Sequence, residues 1–502
     1  MRDLAWVAGV LVLLVATQTG ALVTEVYNED ETAFMLMARD VLDGHLPYTY
    51  AFDVKPPAIF LVLAGAMALF GESLATVRLT GDAFLFATAM AVYVLGRHLS
   101  GRVAGGVGAL VLVALTATKF TAYTDTTLVA TTFTLWATVL VALYPRTGWA
   151  LAGAGLLVSL ATLTRTNHAF VVVVLGLVVL APVRHDREAL RRTGLYIAGG
   201  LAPLLAILLV YAAAGALGPF RLGMIDSALA YAGDQKSPLF VLRELAGRYT
   251  GLMLGYATLY LGTTMLALAG AVLLARRGAM ALGLLPVDEE PRARAILVGA
   301  LVAGALTVSI LLGGQAYFYY FNQLTPFIGL LAGVAVAEAA RARWTAALPT
   351  LMVAALPLID VVRDWVPATL SVTSDYAATR AAYPGLRAAE WIAAEAPEAR
   401  VWAPWHTIVL WHLDAPYLTP FDAAPHNLFK PFLTDLVAEY GMASTTPLED
   451  VMASAPGIVV FHPEPPFFRD EPPMQAITAW LDENYRLAAS FDTVQVWQRV
   501  AP

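Results

Sequence analysis

Apolar runs of membrane-crossing length recur near residues 4–27, 77–96, 103–119, 125–144, 148–164, 168–182, 194–214, 248–275, 295–313, 317–340 and 345–363. A helix needs about 20 such residues to cross a bilayer, so the pattern predicts about eleven transmembrane helices. The 148–182 stretch reads as one long helix or as two. A single helix would leave Thr164-Arg165-Thr166-Asn167 near the bilayer centre, where an unpaired arginine is costly. A tight hairpin with those four residues at the surface is therefore expected. The first run follows Arg2 and shows no obvious small-residue cleavage site, so it reads as a retained first span rather than a signal peptide.

The stretch from Tyr27 to Pro57 is charged, although apolar segments flank it. Within it, "DETAFMLMARDVLDG" has an amphipathic period. Phe34, Met35, Ala38, Val41 and Leu42 make one stripe, and Glu31, Arg39 and Asp43 fall off it. Gly44 is positioned to end that helix. The following "PPAIFLVLAGAMALF", 56–70, is too short to cross unaided, and its prolines suit a helix start. It reads as an interfacial or re-entrant helix. The first outer loop, 28–76, is thus expected to hold two short helices lying against the membrane.

The pattern changes after residue 364. "LRAAEWIAAEAPEARVWAPW" predicts helix, turn and strand, and "PGIVVFHP" a buried strand. "MQAITAWLDENY" predicts an amphipathic helix, and "AASFDTVQVWQRV" a strand pair or one strand. The chain therefore divides into a transmembrane domain, 1–363, and a soluble α/β domain, 364–502.

Composition agrees with this division. Of 502 residues, 59% are hydrophobic and 14% charged, far too apolar for a soluble chain of this length. With no cysteine, disulfides and thiolate chemistry are excluded. The net charge of −7 is uneven: about 17 acidic and 7 basic residues follow Arg363. No basic patch with interleaved aromatics occurs, which argues against nucleic-acid binding. If Arg2 is cytoplasmic and the spans alternate, the arginine clusters at 97–102, 146, 184–192, 276–294 and 341–343 all fall inside. The loop 28–76 and the C-terminal domain then fall outside, on a multi-pass protein of the cell membrane.

Several residues in this frame can carry chemistry. Glu29, Asp30 and Glu31 repel one another where a span meets water, which raises their pKa values and suits a general base. Acids also suit the first turn of an ordinary solvated helix. Lys55, on the stiff backbone before Pro56-Pro57, can meet a phosphate or simply snorkel. Only Lys55, Lys119, Lys236 and Lys430 are lysines. Asp125 is a second acid or the N-cap of the helix it opens. Tyr123 beside it can stack on a sugar or anchor the interface. "GQAYFYYFNQ", with Tyr317 and Tyr320, is an aromatic belt or a wall of a lipid or sugar cavity. His168, His406 and His412 are too loosely spaced to indicate a metal site, and no Gly-rich phosphate loop or metal-type Asp-x-Asp pair is present. No cofactor is expected.

Asp30-Glu31-x-x-Phe34, "ARDVLDGHLPY" and Lys55-Pro56-Pro57 together resemble the first outer loop of GT-C superfamily membrane glycosyltransferases. The branch they resemble is the protein O-mannosyltransferase and aminoarabinose-transferase-like family. "LFGESLATVRL" around Arg78, Thr164-Arg165 and "YFYYFNQLTPFIGLLAG" extend the likeness over roughly residues 1–340. The resemblance implies a GT-C-type polytopic α-helical fold and a polyprenyl- or dolichyl-phosphate sugar donor. It also implies inverting transfer to an acceptor at the outer face, the acceptor being a glycan, a lipid or a protein. By the same resemblance Asp30 is the base, with Glu31 beside it and Asp125 assisting. Lys55 meets the lipid phosphate, and Arg78 and Arg165 are further candidates for phosphate contact. Glu29 is an alternative base, and the role of Asp53 is open. A transporter or flippase of lipid-linked sugars is the competing reading, and a non-catalytic receptor acting through its acidic C-terminal domain is a third. Clustered outer-loop acids and the lack of an internal repeat fit a transporter less well.

Overall fold

The computed structural model describes residues 2–117, 124–181, 187–233, 236–255, 257–282, 291–313, 317–462 and 471–500. Among these, six helices are long and apolar enough to span a membrane. They are Arg2–Val23, Leu74–Ser100, Thr126–Leu143, Glu188–Ala213, Pro291–Leu312 and Thr325–Ala342. Shorter apolar helices include Arg102–Thr116, Gly148–Thr164 and Thr166–Leu180. The protein is a multi-pass membrane protein. It divides into two compact units, one of residues 1–21, 79–209 and 234–370, the other of 22–78, 210–233 and 371–502. The first loop therefore belongs to the same unit as the C-terminal segment, a grouping that hydropathy does not reveal.

The first unit is a helical bundle. The Arg102–Thr116 and Thr325–Ala342 helices meet along a stripe of small residues. A Cβ on Gly333 would lie 2.2 Å from the Ala104 carbonyl oxygen, and one on Gly329 2.7 Å from that of Gly108. Small residues four apart let two backbones touch in lipid, where dispersion rather than water exclusion holds helices together. The expected break in 148–182 is present. The chain is extended at Arg165, a 3-10 turn covers Thr166–His168, and the next helix begins at Ala169.

In the second unit, Asn28 caps the Glu29–Leu42 helix, its side chain accepting from the Asp30 amide at 3.0 Å. That cap explains why three acids occupy the first turn, where the helix dipole favours them. Gly44, at φ +92°, follows the helix as expected. The amphipathic reading is too simple, however. Every residue from Glu31 to Ala38 is buried, Glu31 included, and Leu42 is exposed. The Ala58–Phe70 helix, 13 residues long, leaves Leu69 and Phe70 largely exposed at its end.

The C-terminal segment builds a four-stranded sheet in the order β1-β2-β4-β3, with β1 Val401–Trp402, β2 Ile458–Phe461, β3 Tyr485–Phe491 and β4 Val494–Arg499. β1 and β2 are parallel and the other pairs antiparallel. The final strands form a hairpin that turns at Asp492, φ +54°. Helices Pro384–Glu395 and Pro472–Asn484 follow the expected positions. Phe52 of the first loop enters this core, meeting Phe421 edge-on, and its amide donates to the Pro420 carbonyl at 2.7 Å.

Candidate active site

Lys55 and Asp30 come together in the second unit, with Nζ 3.3 Å from Oδ2 and both side chains about 15% exposed (14% and 17%). Twenty-four residues of loop and helix separate them, and Tyr48 fixes the approach. Its hydroxyl donates to the Lys55 carbonyl at 2.5 Å. Tyr48 is fully buried and holds φ +68°, a region costly for a bulky side chain. Its ring fits only because residue 223 is glycine: a Cβ there would lie 2.4 Å from the ring. Gly223 sits in a single π-helical turn, Leu222–Asp226.

Asp53 completes the setting of the lysine. Fully buried, it lies 3.9 Å from Lys55 Nζ and accepts from its own neighbour's amide, Val54, at 2.7 Å. Asn427 Nδ2 donates to the same Asp53 oxygen at 3.1 Å. His426 Nε2 lies 3.9 Å from Asp30 Oδ1. Lys430 Nζ donates to the Tyr231 hydroxyl at 2.7 Å and lies 3.4 Å from Asn427 Oδ1. Burial alone would raise the Asp30 carboxyl, but the Lys55 ammonium above all, with that of Lys430, holds it below the ordinary range. Burial and the two lysines push His426 down to about 3, so it is neutral.

Glu31 and Arg78 do not join this group. They form a buried bidentate pair, with Nη2 to Oε2 at 2.9 Å and Nε to Oε1 at 3.3 Å, 1% and 3% exposed. Arg78 also donates to the Thr24 and Glu25 carbonyls. That geometry is a clamp that fixes the start of the Glu29–Leu42 helix. Glu29 turns another way, toward Thr407 and His406 at 3.3 and 3.7 Å. Burial raises its carboxyl to about 7. His412 lies 2.7 Å from Glu25, whose carboxylate accepts from the amides of Gly385 and Leu386. Glu25, Glu29 and Asp30 thus each face a histidine of the C-terminal segment.

The remaining sequence candidates lie in the first unit. Asp125 caps the Thr126–Leu143 helix, accepting from the Leu128 amide at 2.7 Å. Arg165, in the break between the two helices, is buried within the protein. Its guanidinium donates to the Thr126 hydroxyl at 2.9 Å and lies 4.5 Å from the Tyr320 ring. A hydroxyl and an aromatic face take the place of water for this cation. Tyr317 stacks on Tyr319 and meets Tyr320 edge-on. His168 is buried against Thr134, 2.7 Å from its hydroxyl. Tyr123 lies outside the described residues. Among the described residues, no group of three or more His, Asp or Glu side chains stands so as to hold a metal ion.

Comparison with solved structures decides the fold. ArnT from Cupriavidus metallidurans, bound to undecaprenyl phosphate, aligns over 99% of this chain and 98% of its own at 15% identity, TM-score 0.61. The apo state of that protein gives 0.62 at 16% identity. The chain therefore has the fold of ArnT. The archaeal oligosaccharyltransferase AglB from Archaeoglobus fulgidus, in complex with an inhibitory peptide and a dolichol-phosphate, aligns with TM-score 0.51 at 11% identity. That alignment covers 99% of this chain and 74% of AglB. The family model for dolichyl-phosphate-mannose-protein mannosyltransferase matches residues 54–212, a stretch that begins one residue before Lys55 and takes in Arg78, Asp125 and Arg165. No curated protein matches the sequence. His426, Asn427, Lys430 and Tyr231, which the contacts link to Asp30 and Asp53, were passed over by motif reasoning. The rarity of lysine, which marks Lys430 alongside Lys55, was the available signal.

Proposed function

We propose that this protein is a glycosyltransferase that moves a sugar from a polyprenyl- or dolichyl-phosphate donor to an acceptor hydroxyl, with inversion at the anomeric carbon. The Asp30–Lys55 pair at 3.3 Å is the observation that carries this reading. An acceptor oxygen attacking the anomeric carbon must lose its proton, and a carboxylate in a half-buried site can take it. The anomeric carbon–oxygen bond breaks toward the lipid, and its electron pair stays on the phosphate, which gains a negative charge. Lys55 is the cation that offsets that charge. Without donor, Lys55 holds the Asp30 carboxyl low and makes it a weak base. A phosphate drawing Lys55 to itself would relieve that restraint and strengthen the base as the donor binds.

The bound lipid phosphates of ArnT and AglB support a donor of this class. Glu31 and Arg78 serve the site as its clamp, while Asp125, in the first unit, is the cap of its own helix. The arginine distribution supports a cytoplasmic N-terminus and a second unit facing outward. The test is product stereochemistry, read by NMR on full-length protein given α- and β-linked polyprenyl-phosphate sugars. Inversion, with Lys55→Met weakening donor binding at least tenfold, is expected. Retention, or unchanged donor affinity in Lys55→Met, would overturn the reading.

A further inference from the structure

We propose that Asp53 is a positioning residue for Lys55: its buried Oδ2 receives the lysine ammonium as this leaves Asp30, which frees Asp30 to act as the base. This rests on the reading of Asp30 and Lys55 given above. Without donor, the Lys55 ammonium lies 3.3 Å from Asp30 Oδ2 and 3.9 Å from Asp53 Oδ2. The first distance is a close ion pair, and the second is too long for a hydrogen bond. A carboxylate paired with a lysine is a weak base, so the pair must open before Asp30 takes a proton. Asp53 is placed to ease that opening.

The two oxygens of Asp53 stand in opposite conditions. Oδ1 is fixed, accepting from the Val54 amide at 2.7 Å and from Asn427 Nδ2 at 3.1 Å. Asn427 is itself fully buried, so that contact is sheltered from water. Oδ2 is buried as well, yet it accepts no hydrogen bond from any described residue. A carboxylate oxygen left in that state is costly and uncommon in a settled fold. The Lys55 ammonium is a cation within reach of it, and closing 3.9 Å to a charge-assisted hydrogen bond takes a shift of about 1 Å. Lysine can make that shift, because its charge rides on a flexible four-carbon stem. The backbone does not follow: the hydroxyl of fully buried Tyr48 donates to the Lys55 carbonyl at 2.5 Å. In the donor complex the same move carries the ammonium away from Asp30. The donor phosphate supplies the pull, and Asp53 supplies the place where the charge comes to rest beside it. Asp53 makes no bond to substrate and takes no proton; its effect on transfer runs through Lys55.

The alternative is that Asp53 only ties the first loop to Asn427. Asp53→Asn separates the two, because asparagine keeps the size and an oxygen acceptor but removes the anion. Single-turnover transfer from a polyprenyl-phosphate sugar that the wild type uses, and binding of undecaprenyl phosphate, are measured on full-length protein in detergent. Wild type, Asp53→Asn, Lys55→Met and the double variant are compared, with thermal stability recorded for each. The expected result for Asp53→Asn is a transfer rate lower by roughly tenfold or more, with phosphate-lipid affinity at least equal to wild type because a nearby negative charge is gone. In the double variant the loss of rate is expected to be no greater than in Lys55→Met alone, since Asp53 acts through that lysine. A wild-type rate in Asp53→Asn, rate and affinity falling together, or a full further loss on top of Lys55→Met overturns the role of Asp53 alone. Where Asp53→Asn does not fold, Asp53→Ser carries the same comparison, and loss of folding in both makes Asp53 a structural residue and overturns the proposal. Unchanged phosphate-lipid affinity in Lys55→Met overturns the reading of Lys55 as well.

Discussion

At the residue scale, three neighbouring acids with nearly identical sequence prospects have three fates. Asp30 meets a lysine, Glu31 a buried arginine, and Glu29 a histidine and a threonine. The residue pattern alone could not sort the three, and only the family resemblance favoured Asp30, because several of the sorting partners lie nearly 400 positions away. Removing the Arg78 charge leaves Glu31 buried and unpaired. Arg78→Met should therefore cost roughly 3–5 kcal/mol of stability in thermal unfolding, and adding Glu31→Gln should recover most of it. Glu29 makes a pH-dependent prediction. Its carboxyl ionises near pH 4.5 when exposed and near 7 when folded. The folded form keeps its proton while the unfolded chain loses it, so stability from this group falls as pH rises through that window. The gain of Glu29→Gln over wild type should grow between pH 4.5 and 7, by on the order of 2 to 3 kcal/mol, then level off. A difference in melting temperature that stays constant across the window would show that Glu29 is not held protonated.

At the element scale, hydropathy located most helices, because burial in lipid and helix formation leave the same apolar signature. It failed where side-chain partners decide the outcome. Arg165 breaks a helix as its charge requires, but hydropathy could not name Thr126 and Tyr320, which stand in for water around it. The Glu29–Leu42 helix is covered around its whole first half, so its amphipathic stripe under-reports its burial. Close helix contact was equally hidden in glycines whose use depends on a distant partner. Gly333→Val should destabilise the first unit by roughly 2 kcal/mol, since its Cβ would meet a backbone oxygen that cannot move aside. Gly299→Val, at a position with open space around its Cβ, should cost far less in the same thermal scan.

At the scale of the whole molecule, the site is assembled from three stretches of one compact unit: the first loop, residues 210–233 and the C-terminal segment. The first-loop half was legible as a motif. The other half, with His426, Asn427, Lys430 and Tyr231, has no local pattern, because each residue is placed by tertiary packing rather than by spacing. The account's central claim is that Asp30 takes the proton from the acceptor as the sugar leaves the lipid phosphate. Single-turnover transfer by full-length Asp30→Asn, from a polyprenyl-phosphate sugar that the wild type uses, tests it most directly. Asparagine keeps the size and the cap but cannot accept a proton. The predicted result is a rate lower by about 10²–10⁴-fold with donor affinity and stability retained. Transfer at the wild-type rate would contradict it.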